Sequence, residues 1–401
     1  YIGDFVMNRA EGNGRQDIYK NGKIVGSFAG ELKNDLLNGQ GYWEEFGCRS
    51  EGAFVDHLLN GEGQITCDDG YQTKGFFEGG LLNGQGSVIW QNGTTESGEY
   101  KDGTLNGEGE INFTDGSKEI GTFLDGELNG FGKTIWNTGT VYEGDWVKGS
   151  GVGKATMKYP EGGTYVGQVD KTLEHGKGTM TWSDGDIYAG EWVYGQRTGK
   201  GTYKWINGDE FNGYFKNGLF EGKGEYLYAN GNKYIGNFKD GLESGKGTFA
   251  WNDGDKYEGN FIDGSRSGKG KYVYSSGTVY EGDFVDNKLE GNGVIVYSNG
   301  DTYTGEFLDG YEHGQGVTKF ANGDVYTGQY DDGYKHGKGK MVYANGTIYE
   351  GLWEDGAEAE GKTTLAKYTT DEKYYALIIG NNDYEKLEDL DNAVNDAQDL
   401  E

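Results

Sequence analysis

Residues 280–302 read YEGDFVDNKLEGNGVIVYSNGDT, and versions of this stretch recur along most of the chain at a step of 23 residues. The glycine of its Tyr-x-Gly-x-aromatic opening falls at Gly52, Gly75, Gly98, Gly121, Gly144, Gly167, Gly190, Gly213, Gly236, Gly259, Gly282, Gly305, Gly328 and Gly351. Two further copies, at Gly3 and Gly26, bring the count to about sixteen; the step from Gly26 to Gly52 is 26 residues and places a three-residue net insertion near Asn34 to Leu37. After Gly144 the next glycine pair, Gly151 and Gly153, comes two residues early, and a turn two residues long at Pro160-Glu161-Gly162-Gly163 is expected to compensate. A fixed period in this range marks a repeat architecture, in which each unit buries its apolar face only against its neighbours.

Each unit reads as two strands and two turns. TVYEGDFV leads through a short connection to GNGVIVY, and SNGD turns into the next copy. Pairs such as Asn207-Gly208, Asn230-Gly231, Asp253-Gly254 and Asn299-Gly300 accept the positive φ of tight hairpin turns. Strand parity puts Tyr280, Gly282 and Phe284 on one face with Gly291, Gly293, Ile295 and Tyr297, and leaves Glu281 and Asp283 on the other. A glycine beside a ring leaves room for the ring to lie flat across the backbone. The expectation is all-β: an elongated single-layer antiparallel sheet of β-hairpin repeats, roughly 150 Å long. Such a layer is expected to have no deep core, and many tyrosine hydroxyls should stay wet.

Composition agrees. Of 401 residues, 77 are Gly, 31 Tyr, 18 Phe and 9 Trp, with one Pro; glycine at well over its usual ~7% without proline excludes collagen and Pro/Gly linkers. The net charge of −30 repels phosphate, so nucleic acid is not expected as a partner and membrane lipid is disfavoured. Cys48 and Cys67, with no CxxC, read as free thiols of a reducing compartment, Cys67 being a small apolar substitute in the column of Trp90 and Trp136. Opening on Tyr1 without methionine or a signal-like segment, the chain reads as an internal fragment. His57, His175, His313 and His336 read as loop or surface residues; the last two stand a repeat apart, roughly 10 Å, too far to share a metal. No metal or cofactor is implied, and the Gly-x-Gly pairs lack the continuation of a phosphate loop.

The candidate site is a basic column. Lys177, Lys200, Lys223, Lys246 and Lys269 stand between paired glycines, and Lys338 recurs later. By parity they project from the polar face roughly 10 Å apart. The simpler reading is cross-strand charge pairing with Glu143, Glu191, Glu258, Glu281 and their neighbours; the functional one is a docking ladder for an acidic partner.

These motifs resemble the MORN repeat over residues 1–363. The repeat-defining aromatics of the regular part are Tyr142, Trp146, Tyr188, Trp192, Tyr257, Phe261, Tyr280, Phe284, Tyr303, Phe307, Tyr326, Tyr349 and Trp353. Earlier copies carry Ile24, Ser50, Thr73, Glu96 and Glu119 in the first column but keep Phe28, Phe54, Phe77, Tyr100 and Phe123 in the second. The resemblance implies a non-catalytic scaffold, possible self-association, and protein partners in a large cytoskeletal assembly. Lys335-His336-Gly337-Lys338-Gly339 with Tyr343-Ala344-Asn345-Gly346 is most similar to ciliary members, which implies an intracellular place in a cilium or flagellum. The alternatives are a phosphoinositide-binding organiser at a membrane and a scaffold that positions a peptidase. For the last, after a linker at 364–373, the run YYALIIG (Tyr374–Gly380) and the loop and helix start in 381–401 resemble the opening strand and helix of a caspase-like or metacaspase-like α/β domain. That family's catalytic His and Cys would lie beyond Glu401, so no catalytic residue is assigned.

Overall fold

The computed structural model describes residues 2–6 and 9–365, and every regular element in it is a β-strand. The 32 strands run from β1 (Ile2–Val6) to β32 (Ala357–Leu365) in one open sheet. Each pairs antiparallel with its neighbours in sequence. The last hairpin, β31 (Thr347–Glu354) with β32, extends the array to Leu365. The caspase-like resemblance at 374–401 and most of the linker lie outside the described residues.

The two turns of a repeat differ in kind. Within a hairpin, β25 (Val279–Val285) meets β26 (Lys288–Val296) through Asp286 and Asn287, both at positive φ (47° and 71°). Asp240-Gly241 (50° and 91°) and Asp263-Gly264 (46° and 81°) repeat this geometry. It is the type I′ turn, whose twist matches that of the strands it joins. Between hairpins, from Gly70 onward, only the glycine is at positive φ, as at Gly300 (92°), whereas Asn21-Gly22 and Phe46-Gly47 in the first copies have both residues there. Asn299 there acts through its side chain, accepting from the Asp301 amide at 3.0 Å. The Asn-Gly and Asp-Gly pairs expected to form positive-φ turns therefore do so through one residue of two. The residue after each such glycine braces the next repeat: Asp209, Asp255, Asp301 and Asp324 accept from the amides of Ala229, Ser275, Ala321 and Ala344 at 2.7–2.8 Å.

Register carries a regular bulge. Gly282 pairs with Gly293, but Asp283 then pairs with Glu290, so Gly291 and Asn292 are skipped by β25. They pair onward with Phe307 and Glu306 of β27 (Thr302–Leu308). Because the skip is two residues, side-chain parity survives it.

The frame departs from the glycine count at two places. In the second repeat Gly30, not Gly26, pairs with Gly41 and precedes the bulge, so Phe28 heads this copy and Leu32 closes it. The extra residues sit in the long strands β2 (Arg9–Lys20) and β3 (Lys23–Lys33) and not near Asn34 to Leu37, where Asn34 and Asp35 form an ordinary two-residue turn. In the repeat after Gly144 there is no slip. Gly153 holds the bulge position, Ala155 takes the place of the second glycine, and Gly151 stands where other copies have a large side chain. The Pro160 turn has the same hydrogen bonds as its counterparts, Tyr159 N to Gly163 O and Gly162 N to Tyr159 O. The reason is steric. Ala155 has a Cβ where a ring would otherwise lie, and Tyr142 shifts over the bare Gly151, where an added Cβ would stand 2.6 Å from its hydroxyl.

Packing on the aromatic face is tighter than a single layer suggests. Tyr142, Tyr165, Tyr188, Tyr234, Tyr257, Tyr280, Tyr303 and Tyr326 have no exposed surface. Tyr280 lies flat along Gly282 and Gly293, with an added Cβ at Gly293 only 2.6 Å from its ring. Its hydroxyl is not wet; it donates to the carbonyl of Asp283 at 2.9 Å. Phe284 and Phe307 close on its two sides edge-on, at 5.2 and 5.0 Å between centroids. The same T-shaped contacts link Tyr257 to Phe284 and Tyr303 to Tyr330, so one aromatic spine couples each repeat to the next from Tyr165 to Trp353.

Copies without the tyrosine solve the same problem differently. Where Ser50, Thr73, Glu96 and Glu119 stand, a leucine from the second strand covers the paired glycine instead: Leu59 over Gly63, Leu82 over Gly86, Leu105 over Gly109, Leu128 over Gly132. The first-strand glycines here adopt φ of 146–153° at Gly52, Gly75, Gly98 and Gly121, a region closed to residues with a Cβ. Cys48 and Cys67 are also corrected. They are cross-strand partners at the open end of the hairpin β5 (Cys48–Val55) and β6 (Leu58–Cys67), and they form a disulfide rather than two free thiols.

Candidate interaction surface

With the tyrosines sealed against their own sheet, the aromatic face is core. The outer face and the hairpin turns remain.

On the outer face, Lys177, Lys200, Lys223, Lys246, Lys269 and Lys338 are all exposed, each directly after a bulge glycine at positive φ. The corrected frame adds Lys154, exposed after Gly153; its 23-residue spacing from Lys177 was the signal in the sequence. The expected cross-strand charge pairing forms at one rung; among the described residues Lys177 faces Glu191 across the strands without an ion pair. Register sets Lys200 opposite Tyr214, Lys223 opposite Asn237, Lys246 opposite Asn260 and Lys338 opposite Leu352. Lys269 alone of the ladder makes an ion pair among the described residues, with Asp283 at 2.8 Å. The facing polar side chains are occupied elsewhere. Gln168 and Gln329 accept from the backbone amides of Lys177 and Lys338 at 2.9 and 2.8 Å, capping the bulge, while Glu191 leans over Gly199. Glu258 pairs with Lys256 at 3.6 Å. Lys177, Lys200 and Glu191 line one shallow groove with Val166 and Thr179.

The aromatic face carries a second pattern that the sequence reading missed. The column held by leucine in the early copies is freed once tyrosine covers the glycines, and it becomes Glu174, Arg197, Phe220, Glu243, Arg266, Leu289, Glu312, Lys335 and Glu358. Eight of the nine contact the residue fifteen positions earlier with matched chemistry; Leu289, fifteen after Tyr274, is the exception. Glu243 accepts from the hydroxyl of Tyr228 at 2.9 Å, and Glu174, Glu312 and Glu358 accept from Tyr159, Tyr297 and Tyr343. At this offset the cations meet rings without a hydroxyl, Arg197 over Trp182 (5.6 Å), Arg266 over Trp251 (5.5 Å) and Lys335 over Phe320 (5.4 Å), within larger aromatic cages in which Tyr203 (5.1 Å), Tyr272 (5.2 Å) and Trp353 (4.5 Å) respectively stand nearer still. Phe220 packs edge-on against Trp205. Burial, then Glu243, raises the Tyr228 hydroxyl well above its ordinary value, and burial among rings lowers the Lys335 ammonium.

The match is open to test. Lys335→Glu places a carboxylate beside Phe320, and Phe320→Tyr supplies the missing hydroxyl. The single charge reversal is expected to cost about 1–3 kcal/mol. The double variant should recover at least about 0.5 kcal/mol in a double-mutant cycle followed by urea unfolding. Strict additivity would show that the pairing carries no energy.

Fifteen segments of the chain match the MORN repeat family: 1–17, 28–43, 51–70, 74–95, 97–118, 120–141, and nine contiguous ones from 142–164 to 326–348. The chain belongs to the MORN-repeat family, and it is a repeat-based protein-interaction scaffold. The second segment begins at Phe28, in agreement with the frame set by Gly30. Among curated proteins nothing matches. Among solved structures the chain is similar to the TCP10 domain of Danio rerio CPAP in complex with a peptide of Danio rerio STIL, at 14% identity over 62% of this chain and 97% of that one (TM-score 0.22). It is also similar to the SAS-4 (dCPAP) TCP domain of Drosophila melanogaster in complex with a proline-rich motif of Ana2 (17%; 43% and 87%; TM-score 0.24). A third similarity is to virginiamycin B lyase from Staphylococcus aureus (12%; 59% and 88%; TM-score 0.13). At these scores the similarities carry no argument about this chain.

Proposed function

We propose that the array is a non-catalytic spacer within a large cytoskeletal assembly, in the first place a ciliary or flagellar axoneme. The observation that carries this is the repeat-by-repeat cohesion of an open sheet of 32 strands, roughly 150 Å from end to end. Such a body holds distant partners at fixed separations along its outer face. The axonemal assignment rests on the likeness of residues 335–346 to ciliary members of the family.

The exposed lysines favour one competing reading, a phosphoinositide-binding organiser. Vesicle flotation and cell fractionation separate the two. The proposal expects no flotation with phosphoinositide vesicles at physiological salt, and retention of the tagged chain in the detergent-insoluble cytoskeletal fraction. Flotation, or full release by detergent, overturns it. For the ladder itself, replacing Lys154, Lys177, Lys200, Lys223, Lys246 and Lys269 by Gln is expected to weaken binding to an acidic polypeptide such as poly-glutamate and to flatten its salt dependence. Unchanged affinity and unchanged salt dependence would remove the docking role.

A further inference from the structure

One edge of the sheet, formed by the within-hairpin turns, carries an apolar row that the core does not use. Leu219, Leu242, Ile262, Val285, Leu308 and Tyr334 each stand at the base of such a turn, on the face opposite Phe284, and each is 46–60% exposed. Some end a first strand and some begin a second, so the row steps between the two strands of each hairpin base, about 4.8 Å apart, and recurs on average once per two-strand repeat. The terminal residues of a hairpin are direct cross-strand partners, Lys216 with Leu219 and Val285 with Lys288. The row is stitched together because side chains lean on the next turn: Leu219 reaches toward Gly241, at 3.9 Å from where its Cβ would be. Scattered exposed apolar residues need no explanation, but a file of them repeated along one edge does.

Beside the row runs a file of acid. Asp240, Asp263, Asp286, Asp309, Asp332 and Asp355 occupy the first turn position at φ of 45–54°, and all are exposed. Asp309 pairs with Lys288 at 2.6 Å; the other five make no ion pair among the described residues. Lys216 and Lys239 are cations at neighbouring hairpin bases, too few to balance the file.

We propose that this edge docks a basic, amphipathic α-helical segment of a partner protein, one heptad to each repeat. The spacing carries the helical assignment. Two strands advance roughly 9.6 Å, and seven helical residues advance about 10.5 Å. The mismatch of about 1 Å per repeat limits a straight helix to three or four repeats, or some 21–28 residues. The charge carries the basic assignment, since lysine or arginine flanking the apolar stripe meets the aspartate file. A second copy of this chain would set acid against acid, and an anionic lipid surface would be repelled in the same way. A polyproline segment has a similar pitch but docks on aromatic platforms, and this row is aliphatic except for Tyr334.

This rests on the reading of the chain as an interaction scaffold and is tested apart from it, on the purified chain. The probe is a 21-residue peptide of three Leu/Lys heptads, compared with a scrambled peptide of the same composition. The heptad peptide is expected to bind at least about tenfold tighter than the scramble. That advantage should vanish in the variant carrying Leu219→Ser, Leu242→Ser, Ile262→Ser and Val285→Ser, and Asp240→Asn with Asp263→Asn and Asp286→Asn should flatten its salt dependence. Circular dichroism checks folding, and Ile262→Lys alone serves if the quadruple variant is impaired. Equal binding of the two peptides, or unchanged affinity in the apolar variants, overturns the proposal. Neither result alters the fractionation outcome.

Discussion

Tyr280→Ala is expected to destabilise its part of the array by about 3–5 kcal/mol, the usual range for truncating a fully buried aromatic side chain. The ring has no exposed surface, covers the paired Gly282 and Gly293, and supplies the edge contacts of Phe284 and Phe307. Nothing nearby can refill the space without moving a strand. Tyr280→Phe should cost far less, about 1 kcal/mol for the lost bond to the Asp283 carbonyl. Phe211 already fills the same column with no exposed surface. Because each repeat meets only its neighbours, the damage should stay local. Urea unfolding of Tyr280→Ala should split into two transitions, and hydrogen exchange should accelerate around residues 257–307 while the repeat of Tyr165 stays protected. A single unshifted transition would mean that the spine does not hold the repeats together.

Alkaline pH should melt the array as a whole. Burial pushes Tyr188, Tyr257 and Tyr326 up to about 12, and pushes Tyr280 and Tyr303 further. In the unfolded chain tyrosine titrates near 10. The folded chain therefore holds more protons than the unfolded one as pH rises past about 10, and its stability falls with pH in that range. This contribution is fully present below about pH 10 and is lost as pH climbs through about 12. Tyrosinate absorbance followed with pH should show the buried set silent until far-ultraviolet circular dichroism reports unfolding, then a joint steep rise. Smooth ionisation of the whole set near pH 10 with the fold intact would contradict the buried packing.

The period, the parity and the reason for the glycines were legible in residues 280–302, because each repeat states the rule again. What escaped was set by pairing partners rather than by spacing. Gly26 keeps the 23-residue step from Gly3, yet Gly30 is the residue that faces Gly41. Gly151 and Gly153 imitate an early Gly-x-Gly, while Ala155 shows the frame only once Tyr142 is seen lying over Gly151. The Cys48–Cys67 bond required knowing that the two face each other across a hairpin. The lysine column was visible, but its partners were not: register puts Leu352 opposite Lys338, and Gln168 and Gln329 on the preceding strands accept from the bulge amides of Lys177 and Lys338. The Glu and Arg column needed both parity and the fifteen-residue offset, although tyrosine before glutamate and tryptophan before arginine stood in the sequence throughout.

Both the scaffold reading and the docking edge depend on one claim, that the chain is an open one-dimensional array and not a closed body. Small-angle X-ray scattering of the purified chain measures this directly. A rod of roughly 150 Å has a radius of gyration of about 43 Å, whereas a compact domain of this length would have about 21 Å. A value near 40 Å with a rod-like cross-section is the expected result; one near 21 Å would contradict the account.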